Sequence, residues 1–278
     1  MPLSVFAAVL LGAALHASWN AIVKSGSDKL LTTVLVAAGS ALVALVALPF
    51  LPLPAPASWP YLATSAVVQV LYFALVAGAY RATDMSRAYP LMRGLAPALV
   101  AVFGLALLGE RLSPVAWGGV ALVSTGVFAM TFAAQGDGSR TGTLLAILNA
   151  GVIASYTLID GVGVRASGAP VAYAMWLFLL NAVPLVAWAL LARRQALFAY
   201  ARRNFGLGLA GGLGNLGSYG LALWAMTAAP IATVAALRET SILFGLAIAH
   251  LALGERIGPT RLAAAALIVL GAVGLRLG

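Results

Sequence analysis

An all-α integral membrane protein of ten transmembrane helices, built as two five-helix repeats of inverted topology around a central cavity, is the fold class that three observations predict. Of 278 residues, 63% are apolar and 8% charged, with a mean hydropathy of +1.03. That is too few charges to clothe a water-facing surface. The apolar residues fall into runs of about 20, the length of helix that crosses the hydrocarbon core of a bilayer. Finally, Leu108-Gly109-Glu110-Arg111 returns as Leu253-Gly254-Glu255-Arg256, with Pro114 and Pro259 at the same spacing behind, 145 positions on (254 − 109).

Taken in order, the first run covers residues 3–23 and ends at the Lys24 to Lys29 charges. It lacks a basic leader and a small-residue cleavage site, so it reads as a retained helix rather than a signal peptide. The second, 30–51, and third, 61–80, are separated by a proline-containing loop, and Arg81 and Arg87 divide the third from the fourth, 88–108. The first Gly-Glu-Arg phrase separates the fourth from the fifth, 114–134, a serviceable helix stop and restart. Arg140 precedes the sixth, 143–165, which Gly168 divides from the seventh, 169–191. Arg193, Arg194, Arg202 and Arg203 precede the eighth, 205–226; the ninth, 230–253, starts at Pro230, and the second Gly-Glu-Arg phrase precedes the tenth, 258–277.

A shift of 145 also carries Arg93 onto Arg238, Ala121-Leu122 onto Ala266-Leu267 and Gly126 onto Gly271, while His16 to Asn20 aligns with 153–157 at a slightly shorter offset. The chain therefore divides into repeats at 1–137 and 138–278. Five crossings per repeat is an odd number, so the second copy enters the membrane from the opposite side, the arrangement of many secondary transporters. Loops after odd-numbered spans hold Lys24, Lys29, Arg81, Arg87, Arg140, Arg193, Arg194, Arg202, Arg203, Arg256 and Arg261; the other side holds Arg111, Arg165 and Arg276. This bias predicts both termini on the non-cytoplasmic side of a bacterial inner membrane.

The net charge of +9 is dispersed among these loops, so nucleic acid is not an expected partner. Without cysteine there is neither disulfide nor thiolate metal site, and no metal or cofactor is expected. An intramembrane enzyme would gather a nucleophile with its base, or a His-Glu-x-x-His metal site. His16 and His250 have no such spacing, and nothing repeats as a channel's ring of like groups would.

Ten spans in two halves, each with a Leu-Gly-Glu-Arg loop before a glycine-containing last helix, resemble the EamA branch of the drug/metabolite transporter superfamily, and within it bacterial amino-acid and metabolite exporters of the YddG type. The resemblance implies a basket of helices around a cavity, no ATP-binding domain, and export of amino acids or similar small metabolites by alternating access. The second reading is an exporter of hydrophobic organic cations.

Ionisable residues inside spans are functional candidates, because unpaired charge in hydrocarbon is costly. Arg93 and Arg238 occupy matching repeat positions; a guanidinium there can grip a substrate carboxylate in bidentate fashion, bond the carbonyls of a broken helix, or snorkel to the interface. Glu239 is a candidate for a substrate ammonium or a coupling proton, or a structural partner of Arg238, and lies three helical turns from His250. His16, Trp19 and Asn20 share a face of the first span; Asn149, Tyr156 and Asp160 share one of the sixth. Asp160 stands close to the span end, where solvent would reach it, and His16 and Asp160 join Glu239 as possible proton carriers. Tyr72 and Tyr80 with Gln69, and Asn215 with Tyr219, form a second polar set for the same cavity. Trp59, Trp117, Trp176 and Trp188 read as interfacial anchors. The seven glycines from Gly206 to Gly220 make the eighth span smooth and easy to bend.

Overall fold

The computed structural model describes residues 1–132, 139–253 and 257–278. Within them are eleven α-helices and two short 3₁₀ turns: α1 (Leu3–Ser25), α2 (Lys29–Ala47), α3 (Trp59–Ala82), α4 (Met85–Leu108), α5 (Pro114–Phe132), α6 (Arg140–Ser167), α7 (Pro170–Ala192), α8 (Arg194–Met226), α9 (Ile231–Arg238), α10 (Ser241–Leu253) and α11 (Pro259–Leu277). Eight helical segments are long and apolar enough to cross a membrane. Pro114–Met130 is apolar but shorter, and the glycine-rich α8 does not reach the same hydropathy. The chain is thus a multi-pass membrane protein. Leu11, Leu45, Val67, Leu107 and Leu270 all point outward, as lipid-facing side chains do.

Two elements depart from the expected spans. The ninth is broken: Glu239 and Thr240 leave the α-helical ladder through short bonds from Glu239 N to Ala236 O and from Thr240 N to Leu237 O. The Thr240 hydroxyl also donates to Leu237 O at 2.7 Å, a local side-chain bond that competes with continued helix. The eighth starts early, because Arg194 to Arg203 form a helical preface that kinks into the glycine-rich segment at Asn204, whose φ of −123° and ψ of 20° are not helical.

The Gly-Glu-Arg phrase has a local explanation at its first copy. Gly109 closes α4 with φ 65°, a left-handed conformation that glycine adopts without a Cβ penalty. Glu110 N then donates to Gly104 O and Gly109 N to Leu105 O, which turns the chain and aims Glu110 inward. Ser113 Oγ accepts from Ala116 N at 3.0 Å and Pro114 starts α5, a capped restart. The second copy, Gly254 to Arg256, and the expected repeat boundary at 137/138 lie outside the described residues.

Contacts between connecting segments tie the bundle together. Arg193 Nη1 meets Asp28 Oδ2 at 3.2 Å, Ser139 Oγ donates to Ala82 O at 2.6 Å, Ala55 N donates to Ser167 O, and Glu110 meets Arg165. Helix packing also pairs up when the halves are exchanged: α1 lies on α8 as α3 lies on α6, α2 lies on α7, and α5 lies on α11. Small residues set these approaches. A Cβ on Gly212 would stand 2.5 Å from Ser40 N, and one on Gly271 would stand 2.8 Å from Gly119 O. The α2–α8 and α5–α11 backbones therefore nearly touch.

Candidate functional site

One buried ion pair joins the two halves. Arg93 Nη2 on α4 lies 3.0 Å from Glu239 Oε1 at the α9–α10 break, with both side chains almost wholly buried. Glu239 therefore partners Arg93, not its neighbour Arg238 as the sequence suggested: adjacent residues at a helix end diverge, and the break turns Glu239 toward α4. His250, expected on the same face as Glu239, is exposed on α10 while Glu239 is buried. Arg93 Nε and Glu239 Oε2 are buried without hydrogen-bond partners among the described residues. Tyr89, one turn before Arg93, lies within electrostatic reach of both charges.

Arg238 goes elsewhere. Its Cζ lies 4.5 Å from the centroid of the Tyr219 ring, a cation–π distance. Arg238 is only half-buried, and its guanidinium has no carboxylate at ion-pair distance among the described residues. The Tyr219 hydroxyl donates to Asp160 Oδ2 at 2.7 Å, and the Tyr173 hydroxyl donates to Oδ1 at 3.2 Å. Asp160 is fully buried. The expectation that it is solvated near a span end is overturned: α6 runs on to Ser167, and α7 and α8 close over it. Ser65 on α3 is a further hydrogen-bonding neighbour of the carboxylate; it accepts from Gln69 Nε2 at 3.0 Å, and Gln69 Oε1 accepts from Asn181 at 2.8 Å.

Aromatic rings wall this cluster. Tyr156 meets Tyr72 edge-on at 5.8 Å and Tyr219 at 6.4 Å, and Phe178 approaches Tyr219 at the same distance. Edge-to-face contacts hold such rings in fixed orientation. Tyr80 is half-buried against the same core. Of the candidates, then, Arg93, Glu239, Arg238, Tyr72, Tyr156, Tyr219 and Asp160 come together.

Others do not join them directly. Asn215 Nδ2 is 3.3 Å from Ser40 Oγ, drawn to α2 by the close helix approach there. Asn20 bonds His16 O in its own helix at 2.7 Å. His16 stacks edge-on against Trp19 at 5.3 Å, and its Nδ1 lies 3.4 Å from Ser218 Oγ. Asn149 Nδ2 turns to Met92 Sδ at 2.9 Å. Trp59 and Trp176, expected as separate interfacial anchors, pack on each other at 5.1 Å because α3 and α7 meet at this level. Tyr173 and Ser65 were missed in the sequence, since nothing in their local spacing separates a carboxylate ligand from an ordinary helix residue.

A second cluster lies at one end of the bundle. Glu110 Oε1 pairs with Arg165 Nη1 at 2.7 Å, while Oε2 accepts from Ile231 N, the first helical amide of α9, at 2.9 Å. Arg165 also donates to Met226 O at 2.7 Å and Ala229 O at 2.9 Å. One carboxylate thus caps α9, and one guanidinium collects the last carbonyl of α8 and one from the turn that follows it. Among the described residues, no three His, Asp or Glu side chains gather as metal ligands.

A family model described as EamA-like transporter family matches residues 3–132 and again 140–277. The chain belongs to the EamA-like transporter family. The two matches coincide with the two sets of helices whose packing pairs up, and EamA membership makes the chain a membrane transporter of small molecules. A solved structure titled only "Crystal structure of protein" is similar at 20% identity and a TM-score of 0.73, over 98% of this chain and 95% of that one. It shares the fold. No curated protein matches.

Proposed function

We propose that this EamA protein is a secondary transporter that exports amino acids or closely similar small metabolites across a bacterial inner membrane by alternating access, and that Arg238 binds the solute carboxylate. The observation that carries this reading is the unequal use of the two repeat-related arginines. Arg93 is consumed by Glu239 at 3.0 Å. Arg238 is left half-exposed on the Tyr219 ring, with its hydrogen-bonding fork available for a bidentate anion. The tyrosines beside it offer apolar faces to a solute side chain.

The pairing of Glu239 with Arg93 argues against an organic cation as the solute. Ten crossings in two inverted halves fit the loop contacts, each of which joins loops of like parity: Asp28 with Arg193, Ala82 with Ser139, Ala55 with Ser167, and Glu110 with Arg165 and Ile231. The test is counterflow in proteoliposomes, with a labelled neutral amino acid exchanged against a panel of unlabelled ones. Saturable exchange that is lost in Arg238→Ala supports the reading, and undiminished exchange in that variant rejects it.

A further inference from the structure

Three carboxylate or imidazole groups lie deep enough to carry a proton, and their surroundings separate them. Glu239 has the Arg93 guanidinium beside it at 3.0 Å as a counter-cation. His16 is half-buried between Trp19 and the Ser218 hydroxyl and touches neither the tyrosine cluster nor a carboxylate. Asp160 differs from both. It is fully buried, no basic nitrogen lies within ion-pair distance of it among the described residues, and the Tyr173 and Tyr219 hydroxyls that bond it are neutral.

A carboxylate enclosed in a low-dielectric interior with no cation at ion-pair distance costs several kcal/mol, so such a group is a natural proton acceptor. The groups that face it are Ser65 from α3, Tyr173 from α7, Tyr219 from α8 and, through the Tyr219 ring, Arg238 from α9. Tyr156, one turn earlier on α6, faces Tyr219 and lies within electrostatic reach of Arg93 and Glu239 from α4 and the α9–α10 break.

We propose that Asp160 is a proton-binding site that links proton movement to solute movement, with Tyr219 carrying the link to Arg238. The inference rests on the transporter reading above. The proton adds to Oδ1, where the bond to Tyr173 is the longer at 3.2 Å, and Tyr173 then accepts instead of donating. The 2.7 Å bond from Tyr219 to Oδ2 changes at the same moment from a charge-assisted bond to a neutral one, which is roughly half as strong. The ring that supports the Arg238 guanidinium is thereby loosened when Asp160 is neutral and held when it is charged. Solute affinity and proton occupancy become coupled quantities, each altering the other by the same factor.

Two measurements test this. Infrared titration of the purified protein in lipid nanodiscs reads the C=O stretch of a protonated carboxyl and needs no solute. The expected result is a band that disappears on alkalinisation, that is missing in Asp160→Asn and that persists in Glu239→Gln. A band unchanged in Asp160→Asn, or no protonated carboxyl at any pH where the protein stays folded, overturns the assignment. Tyr219→Phe and Tyr173→Phe keep the carboxyl and provide the reading if Asp160→Asn does not fold: each must shift the pH at which the band is lost, and the absence of any shift also overturns it. In proteoliposomes with a trapped pH dye and a labelled neutral amino acid, wild type should move protons with solute, and Asp160→Asn should lose the proton signal, with its remaining solute exchange weakened and independent of pH. Solute flux in wild type without proton flux overturns the linkage. If no amino acid is transported, the amino-acid reading fails while the infrared result still stands on its own.

Discussion

Arg93 Nη2 and Glu239 Oε1, 3.0 Å apart and almost wholly buried, tie the fourth helix of one EamA repeat to the broken helix of the other. Removing one member leaves a buried charge without its partner, which costs about 3–5 kcal/mol. Glu239→Gln should therefore lower the thermal melting temperature strongly. Arg93→Met combined with Glu239→Leu should recover much of that loss, because apolar groups of similar volume often replace a buried pair without penalty. Melting curves in detergent or nanodiscs read both effects, and a double variant no more stable than Glu239→Gln would contradict the account.

Glu110 caps α9 through Ile231 N and pairs with Arg165. Glu110→Ala should destabilise by about 1–2 kcal/mol, the usual cost of a lost cap. The diagnostic signal is local: hydrogen exchange of the amides at Ile231 to Val234 should accelerate, while exchange in α5 stays unchanged. Equal protection of those amides in wild type and variant would refute a capping role.

Much of this was legible before any coordinates. The repeated Gly-Glu-Arg phrase announced two related repeats, and the family model matches the chain twice, at residues 3–132 and 140–277. The site was legible only as a set of polar residues in apolar runs. Which partner Glu239 chooses depends on a helix break at Thr240 that hydropathy cannot register, because the residues on either side are equally apolar. Asp160 looked terminal because Arg165 marks the end of the apolar run, yet α6 continues to Ser167 with Arg165 turned onto the carbonyls of Met226 and Ala229. Tyr173 carries no signal of its role, since its bond to Asp160 exists only through the packing of α7 on α6.

Close backbone approach gives a third prediction. Gly212→Ala would drive a Cβ to within 2.5 Å of Ser40 N, whereas a Cβ on Gly151 meets nothing within 4 Å. Overpacking of the first kind costs about 1–3 kcal/mol; Gly151→Ala should leave stability unchanged or slightly raised, since alanine is the better helix former. Similar melting temperatures for the two variants would contradict the close α2–α8 contact.

Topology is directly testable, because the chain has no native cysteine. Single cysteines at Ser27 and Gln195 should label from the cytoplasmic side, and those at Ala57 and Ala228 from the opposite side; all four positions are exposed. Labelling of Ser27→Cys and Ala57→Cys from one side would contradict the proposed crossing pattern.

The central claim, that Arg238 on the Tyr219 ring receives a solute carboxylate, is met most directly by solute counterflow in proteoliposomes, comparing wild type with a folded Arg238→Ala variant. The account predicts saturable exchange of a labelled neutral amino acid in wild type, competition by amino acids but not by their decarboxylated amines, and at least a tenfold loss in the variant, the equivalent of one charge-assisted bond of about 1.4 kcal/mol or more. Exchange of equal rate and affinity in Arg238→Ala would contradict it.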